Sequence, residues 1–331
     1  MELASDYGSI QSVAMHGVPG LSDIEEAARR IEPYAHRTPV LTCAGLDRQA
    51  KCSLFFKCEN FQKVGAFKFR GATNAVFALP REAAERGVLT HSSGNHGAAL
   101  ALAARNRGIP AIVVMPSNAP AVKRAAVEGY GARIVGCEPT VESRESTAAR
   151  VRKETGATFI HPYDNNHVIA GQGTAARELL ADVPGLDRVL TPVGGGGLLS
   201  GTALAVSGTD ARIQVIAAEP AGADDAYRSF RAGRIFPQTN PQTIADGLRT
   251  SLSPRTFQII RAHVADIVTV EDAAIIGAMR QVWERMKIVI EPSAAVPVAA
   301  ALSGRMPLDG LRVGIILSGG NVDLQSLPWQ I

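Results

Sequence analysis

Short runs rich in β-branched residues alternate with longer helical stretches along most of this 331-residue chain, and this alternation restricts the fold more than any other feature. It is typical of βαβ units, in which a helix connects two parallel strands of one sheet. The predicted strands cover residues 53–57, 87–90, 111–115, 133–136, 158–161, 188–192, 214–219 and 312–317. The predicted helices cover residues 72–79, 97–107, 120–130, 141–155, 167–182, 197–207 and 271–286. We therefore expect an α/β fold with twisted parallel sheets flanked by helices, and ligands at the carboxyl ends of the strands.

Near the amino terminus, an amphipathic helix is predicted to begin at Ser22, since Glu25 follows three residues later as in a capping box. The chain length corresponds to roughly two domains at about 150 residues each. Hydrophobic residues make up 46% and charged residues 20%, as in ordinary globular proteins. The 34 basic and 31 acidic residues give a net charge of +3, and the basic residues are scattered, so we expect no nucleic-acid partner.

The sequence also argues against a membrane or secreted protein. The longest apolar run, residues 294–302, falls short of the ~18 residues of a membrane span and contains Pro297. The first residues form neither a basic segment nor an apolar one, so no secretory signal is expected. The cysteines form no CxxC pair and have no histidine at zinc-binding spacing; they are Cys43, Cys52, Cys58 and Cys137. Reduced thiols in a cytoplasmic protein are therefore expected.

Three predicted strands end in unusually small and polar residues. The first is followed by Ser92, Ser93, Gly94, Asn95 and His96, which open a helix. The amino end of a helix presents unpaired N–H groups, so this segment indicates a site for an anion. An elaborate helix cap is the alternative, although a cap needs only one serine.

The second of these junctions consists of four consecutive glycines, Gly194, Gly195, Gly196 and Gly197. Without Cβ atoms the loop lets phosphate oxygens approach the backbone closely, and a helix is predicted to begin at once. A plain flexible turn is the alternative. The third junction places Ser318 at the end of the last strand, where its hydroxyl could meet a ring nitrogen.

Lys68 lies between Phe67 and Phe69 and leads into an apolar helix. Such a lysine either extends its amine to solvent or is held partly desolvated with a lowered pKa, as Schiff-base lysines are. Residues 171–176 match the G-x-G-x-x-A dinucleotide pattern, but no strand precedes them. We expect this segment to start a helix whose glycines face a ligand or another backbone, and we do not expect NAD binding.

Taken together, the Lys68 segment, the Ser92–His96 loop, the four glycines and the Ser318-Gly319-Gly320-Asn321 segment resemble the fold-type II pyridoxal-phosphate (PLP) enzymes, which share the tryptophan synthase β-like fold. The resemblance runs from about residue 24 to residue 324. It is greatest to the serine racemase and serine/threonine dehydratase branch of that family.

This resemblance implies roles for individual residues. Lys68 would carry PLP as a Schiff base and Phe67 would pack against the cofactor ring, while Asn95 would bond the ring hydroxyl. The phosphate would be held by the glycine loop, Gly247 would line the cofactor site, and Ser318 would meet the pyridine nitrogen.

For the substrate, the resemblance implies that Ser92, Ser93, Asn95 and His96 grip the α-carboxylate. Ser93 would act as a base on the face opposite Lys68. Arg144 could pair with a second carboxylate of the substrate, as could Arg249, although any single arginine more often forms a surface ion pair.

A metal site is also implied by the resemblance. Glu219, the Ala223 carbonyl and Asp225 would bind Mg²⁺, or Ca²⁺ or Mn²⁺, since these ions prefer oxygen ligands. Without the resemblance, a solvated acidic loop would be the expected interpretation.

The expected activity is β-elimination of a β-hydroxy amino acid, namely L-serine, L-threonine or a 3-hydroxyaspartate, to a keto acid and ammonia. An amino-acid racemase with dehydratase side activity is the alternative within the family. A non-catalytic cofactor-binding protein is another hypothesis, disfavoured because every catalytic position implied by the resemblance is filled. A β-replacement synthase is a third, and the loop 219–225 and Ser93 argue against it.

Two domains are implied. A large PLP-binding domain would comprise residues 1–77 and 164–331, and a small mobile domain, residues 78–163, would close over the substrate. The resemblance also implies a homodimer.

Overall fold

The computed structural model describes residues 17–92, 94–119 and 121–329, with Val122 described by its backbone only. In chain order the strands are β1 Val40–Leu41, β2 Ser53–Cys58, β3 Val88–His91, β4 Ala111–Pro116, β5 Arg133–Cys137, β6 Thr158–Phe159, β7 Arg188–Pro192, β8 Gln214–Pro220, β9 Asp266–Val270 and β10 Arg312–Leu317. The first seven helices are α1 Leu21–Ile31, α2 Ala44–Ala50, α3 Lys68–Phe77, α4 Arg81–Glu85, α5 Asn95–Arg107, α6 Ala121–Gly129 and α7 Val141–Thr155. The next six are α8 Asn166–Asp182, α9 Gly197–Thr209, α10 Asp225–Ala232, α11 Pro254–His263, α12 Asp272–Met286 and α13 Pro292–Leu302. Short 3₁₀ turns include Glu59–Phe61, Lys63–Gly65, Ala221–Ala223 and Asp246–Leu248.

These strands form two sheets. The larger has the order β1-β2-β10-β7-β8-β9 and the smaller the order β5-β4-β3-β6. All pairings are parallel except that of β1 with β2. Helices cover both faces of the larger sheet, with α12 and α13 on one side and α1, α8 and α9 on the other. The predicted α/β fold with parallel sheets is therefore confirmed.

All eight predicted strands are present, most with ends shifted by one or two residues. Sequence reasoning missed the edge strands β1 and β9 and the helices α2, α4, α10, α11 and α13. The helix α13 coincides with the apolar run around Pro297; it is buried over most of its length, so it lacks the polar face from which a helix is usually predicted. No helix in the described ranges is long and apolar enough to cross a membrane.

The predicted start of the first helix was wrong. Helix α1 begins at Leu21 with Gly20 as its N-cap, so Ser22 lies inside the helix. The Gly20 N–H donates to the Asp23 carboxylate at 2.8 Å. Asp23 stands three residues after the true N-cap, where a carboxylate can turn back to the cap N–H.

Three helices approach one another through glycines. Residues 171–176 lie inside α8 rather than at its start, contrary to the prediction. A Cβ built on Gly171 would lie 2.6 Å from the Gly71 Cα in α3, and one on Gly173 would lie 2.7 Å from the Gly201 carbonyl oxygen in α9. The glycines therefore face other backbones. This is one of the two alternatives predicted from the sequence; the other was a ligand.

We predict that Gly171→Ala destabilises the protein by about 1–3 kcal/mol, because the new methyl group meets backbone atoms that cannot rotate away. Urea unfolding measures the change. Gly277→Ala in α12 is the matched control, since no atom lies within 4 Å of its Cβ position. There the loss of glycine flexibility should stabilise the helix by about 0.5–1 kcal/mol. Equal effects of the two substitutions would contradict the close backbone contact.

Candidate active site

The candidate site lies at the carboxyl ends of β3, β7 and β10, and α3 begins beside it. Ala66 forms a bridge with Gly319, and the Phe67 N–H donates to the Ser318 carbonyl oxygen at 3.0 Å. These bonds bring Phe67, Lys68 and Ser318 together, as predicted for one ligand site. Ser318 is 2% exposed.

The amine of Lys68 points inward. Its Nζ donates to the Pro162 carbonyl oxygen at 2.9 Å and lies 5.1 Å from the centre of the Phe67 ring. Burial lowers the pKa of Lys68 to about 8, while the nearby Glu291 carboxylate acts in the opposite direction. Of the two alternatives for this lysine, the structure favours the partly desolvated amine over the solvent-directed one. A lowered pKa leaves a larger fraction of the amine free to act as a nucleophile or base.

The glycine loop follows β7 and begins α9. Gly196 has φ +86°, which favours glycine, and a Cβ on Gly194 would lie 2.9 Å from the Leu248 Cα. A Cβ on Gly195 would lie 2.3 Å from the ring of Tyr163. The first turn of α9 carries no side-chain cap, so its N–H groups are available to an anion. The Cβ positions of the loop face neighbouring protein atoms, so it is the uncapped backbone N–H groups at the amino end of α9 that suit a phosphate.

Asn95 begins α5 and joins it to the residue that precedes α13 and to the segment after β10. Its Nδ2 donates to both oxygens of Glu291 at 3.1 Å, and its Oδ1 accepts from the Asn321 side chain at 2.9 Å. The amide predicted to bond a cofactor hydroxyl is therefore engaged by the protein in this structure.

Glu291 is a site residue that sequence reasoning missed. Burial raises the pKa of Glu291 to about 7, and the charge of Asp246 adds to this effect. Its carboxylate also accepts from the Asn321 N–H at 3.3 Å. The available signal was a single acid between Ile290 and Pro292 in an otherwise apolar segment.

The segment after β3 has one feature expected of an anion site, a helix amino end without a side-chain cap. The Gly94 N–H donates to the Ser92 hydroxyl at 3.2 Å, and Gly94 caps α5 without a side-chain bond. His96 is buried; one ring nitrogen lies 3.3 Å from the Ile160 carbonyl oxygen, whereas Nδ1 is buried without a partner in the described chain. Burial holds the pKa of His96 well below its usual value. The predicted base Ser93 lies outside the described residues.

The remaining predicted cofactor residue, Gly247, lies beside the glycine loop. Its carbonyl oxygen would be 3.3 Å from a Cβ on Gly194, and its N–H donates to the Ser293 hydroxyl at 3.1 Å.

The two candidate arginines differ in their contacts. The Nε and Nη2 of Arg249 both donate to the Thr243 carbonyl oxygen, at 3.0 Å for Nε. Arg144 lies on α7 and forms no ion pair with any other described residue. Burial is the main cause that lowers the pKa of the neighbouring His91, and the charge of Arg144 lowers it further. Neither arginine forms an ion pair with another described residue, and of the two side chains only that of Arg249 is hydrogen-bonded to the chain.

The predicted metal residues lie after β8. Both oxygens of Glu219 accept backbone N–H groups, from Ala226 at 2.9 Å and Tyr227 at 2.7 Å. Asp225 Oδ1 accepts from Gln238 at 3.1 Å, while Asp225 Oδ2 is buried without a hydrogen-bond partner among the described residues.

Burial raises the pKa of Asp225 to about 7, and burial together with the Asp225 charge raises that of Glu219 well above its usual value. A buried carboxylate oxygen with no partner suits a cation. No group of three or more His, Cys, Asp or Glu side chains in the described chain is arranged to hold a metal ion, so carbonyl oxygens or water would have to complete the shell.

Comparisons with known proteins agree with this geometry. A profile of the family described as pyridoxal-phosphate dependent enzyme matches residues 31–319. The β-hydroxyaspartate dehydratase of Paracoccus denitrificans is 52% identical over 94% of this chain and 99% of that protein. The L-threo-3-hydroxyaspartate ammonia-lyase of Saccharomyces cerevisiae is 48% identical over 93% of this chain and 95% of its own. The crystal structure of serine racemase from Dictyostelium discoideum superposes with a TM-score of 0.89, at 50% identity over 92% of this chain and 99% of that chain. These matches confirm the predicted fold class and the predicted resemblance.

We predict that Glu291→Gln lowers the pKa of Lys68, because the carboxylate charge that favours the ammonium form is removed. The rate at which Lys68 forms a Schiff base with added pyridoxal phosphate, followed by absorbance across a pH series, measures this pKa. The rate should rise at a lower pH than in the wild type.

Glu284→Gln is the matched control. Glu284 is a surface acid paired with Arg280 at 2.6 Å, and its loss should leave the Lys68 profile unchanged. An identical profile for Glu291→Gln and the wild type would show that Glu291 does not act on the lysine.

Proposed function

Because the chain belongs to the family of pyridoxal-phosphate dependent enzymes, we propose that it eliminates water from a β-hydroxy amino acid and releases a keto acid and ammonia. The single observation that carries this proposal is the desolvated Lys68 amine, which is bonded to the Pro162 carbonyl oxygen and has its pKa lowered to about 8. Relatives named as dehydratase and ammonia-lyase, each covering more than nine tenths of the chain, support the reaction class.

In this proposal the amine of Lys68 would bind PLP and Phe67 would pack on its ring. The glycine loop and Gly247 would hold the phosphate end, and Ser318 would face the ring nitrogen. When bound, PLP would supply an electron sink for charge that develops at the substrate Cα. Asn95 would exchange its bonds to Glu291 for the cofactor hydroxyl.

The chain's own residues then move the protons. With the cofactor bound, Lys68 would take the Cα proton from one face of the substrate, and the proton it then carries would balance the loss of the β-hydroxyl as water. The enamine that remains becomes an imine, and its hydrolysis gives the keto acid and ammonia. The α-carboxylate would lie at the amino end of α5, against Ser92 and His96. A small unit made of residues 78–163 would close over the substrate and exclude water.

A 3-hydroxyaspartate is the substrate that this site suits best. Its second carboxylate needs a cation, and Arg144 has no ion-pair partner among the described residues whereas Arg249 is engaged by a carbonyl oxygen. An arginine can bind a carboxylate through two parallel hydrogen bonds. Two relatives carry names that specify hydroxyaspartate. L-serine and L-threonine are the alternatives.

Racemisation is the second candidate activity. It is supported by the 50% identity to the serine racemase of Dictyostelium discoideum. Elimination and racemisation begin with the same removal of the Cα proton. If Ser93 returns a proton to the opposite face before the hydroxyl leaves, the product is the D-amino acid.

We predict that the pure enzyme converts a 3-hydroxyaspartate to keto acid and ammonia with a higher kcat/KM than L-serine or L-threonine. Keto-acid and chiral amino-acid analysis of the products measures both candidate activities. Lys68→Ala should abolish all turnover, and Ser93→Ala should reduce racemisation more than elimination. Equal loss of both activities in Ser93→Ala would contradict the assignment of two opposite faces.

The role of Arg144 is tested in the same assay. Arg144→Gln should raise KM for the 3-hydroxyaspartate about 10- to 100-fold while that for L-serine changes little, since truncating one partner of a desolvated charge pair commonly costs 2 kcal/mol or more. Arg152→Gln, two turns further along α7, is the control and should leave both values unchanged. Equal effects of Arg144→Gln on both substrates would contradict a second-carboxylate site.

A divalent cation completes the proposal. Glu219, Asp225 and the Ala223 carbonyl would bind Mg²⁺, with Ca²⁺ and Mn²⁺ as alternatives. The unpartnered Asp225 oxygen supports this site, as does the lack of any cationic side chain bonded to Glu219 among the described residues. The ion would neutralise two buried charges and hold the start of α10 against the end of β8.

We predict that Mg²⁺ raises the melting temperature of the wild type by several degrees after treatment with a chelator, and that Asp225→Asn removes this effect. Differential scanning fluorimetry with and without Mg²⁺ measures it. Asp224→Asn is the control, because Asp224 pairs with Arg228 at 2.7 Å outside the proposed ligand set. A wild type that responds no more than Asp225→Asn would rule out the site.

We also propose a small domain, a homodimer and a cytoplasmic location. The strands of the smaller sheet lie within residues 88–159, inside the proposed small domain, and the Lys123–Asp246 ion pair joins this unit to the large one. A homodimer is supported by exposed apolar side chains at Phe61 and Val289, whose segments are joined by a bond from Asn60 Nδ2 to the Val289 carbonyl oxygen at 3.1 Å. The free cysteines suit a cytoplasmic location.

A further inference from the structure

The segment after β6 forms a tight turn around a histidine. His161 Nδ1 accepts hydrogen bonds from the N–H of Asp164 at 2.9 Å and from that of Tyr163 at 3.3 Å. A side-chain acceptor bonded to the N–H groups two and three residues later is the pattern that Asn and Asp form in Asx turns and helix caps. Here an imidazole takes that place. The two donors at Nδ1 require the ring proton to be on Nε2.

His161 remains an acceptor across the working pH range. Burial, and then the neighbouring His91, lower the pKa of His161 to about 4. Phe159 and Tyr163 pack against the ring, with centroid distances of 6.0 and 4.6 Å. The ring is therefore neutral and held on several sides.

The turn reaches two parts of the candidate site. The carbonyl oxygen of Pro162, in the middle of the turn, accepts the hydrogen bond from Lys68 Nζ at 2.9 Å. The ring of Tyr163 lies against the glycine loop, where a Cβ on Gly195 would be 2.3 Å from it. Asp164 is tied to α11 by an ion pair with Arg255 at 3.0 Å.

We propose that His161 is a positioning residue: it fixes the 161–164 turn, which holds the Pro162 carbonyl oxygen where it receives the Lys68 amine whenever that amine is not bonded to the cofactor. In the proposed reaction Lys68 is released from the cofactor and acts as a base. The hydrogen bond to Pro162 determines the position of Nζ while the amine is free. The inference rests on the proposed function, since it takes Lys68 as the Schiff-base lysine.

The charged and titratable groups around Lys68 do not provide this positioning. Glu291, the N-cap residue of α13, favours the ammonium form of Lys68 through its charge and forms no hydrogen bond with Nζ. His96 on α5 is buried, and the Lys68 charge contributes to its lowered pKa. The Pro162 oxygen is the acceptor to which Nζ is bonded.

The experiment compares four forms of the full-length chain: wild type, His161→Leu, His161→Asn and Phe159→Leu. The cofactor is removed, pyridoxal phosphate is added, and the absorbance of the Schiff base is followed by stopped flow across a pH series. The pH dependence of the rate gives the apparent pKa of the Lys68 amine. Thermal unfolding of each variant is recorded in parallel.

We expect His161→Leu to lower the apparent pKa of Lys68 by on the order of half a unit, because a hydrogen bond that favours the ammonium form is lost. His161→Asn should restore the wild-type value, since its amide oxygen can accept from the same two N–H groups. Phe159→Leu removes a packing contact and keeps the acceptor, so it should also match the wild type. With saturating substrate, His161→Leu should reduce kcat more than it changes KM.

The inference is overturned if His161→Leu leaves the pKa of Lys68 unchanged, or if Phe159→Leu shifts it equally. If His161→Leu does not fold, His161→Gln takes its place; its longer amide moves the acceptor outward and should lower the pKa where His161→Asn does not. Failure of the wild type to form a Schiff base at Lys68 would instead overturn the proposed function.

Discussion

The position of the site depends on a buried network of ion pairs centred on the guanidinium of Arg70. Arg70 is fully buried, and its donors reach Glu59 at 2.7 and 2.8 Å and Glu178 at 2.7 and 2.8 Å. Lys57 lies 2.6 Å from Glu178, so two cations face two anions beneath the start of α3. Removing one member would leave an unpaired buried charge, which typically costs about 3–5 kcal/mol. Lys68, two residues before Arg70, is thereby anchored to β2 and α8.

Much of the fold could be predicted because buried parallel strands are continuous apolar runs in the sequence. The strands β4, β7 and β10 are of this kind. The edge strand β9 buries only two of its five residues and does not alternate regularly, and β1 has two residues. The boundaries of such short elements are set by the neighbouring strand and not by their own composition, so local patterns do not reveal them.

The predictable part of the site consists of residues whose chemistry is visible within a few positions. Lys68 between aromatic residues and the four glycines before a helix are such cases. Glu291 became a site residue through contacts with distant segments, such as that with Asn95, which lies 196 positions away in the chain. His161 is the side-chain acceptor of a turn in which Asn or Asp is the usual acceptor. A search for Asx turns in the sequence would therefore miss it. Contacts between distant segments are what a single sequence does not display.

The contact between Tyr163 and the glycine loop has a consequence for how related sequences should be read. A methyl group at position 195 and an aromatic ring at position 163 cannot occupy the same space, given the 2.3 Å separation. The glycine at 195 is thus required by the tyrosine as well as by any phosphate. In a related chain with a small residue at 163, position 195 would no longer have to be glycine on this ground. We therefore expect substitutions at positions 163 and 195 to be correlated among related sequences.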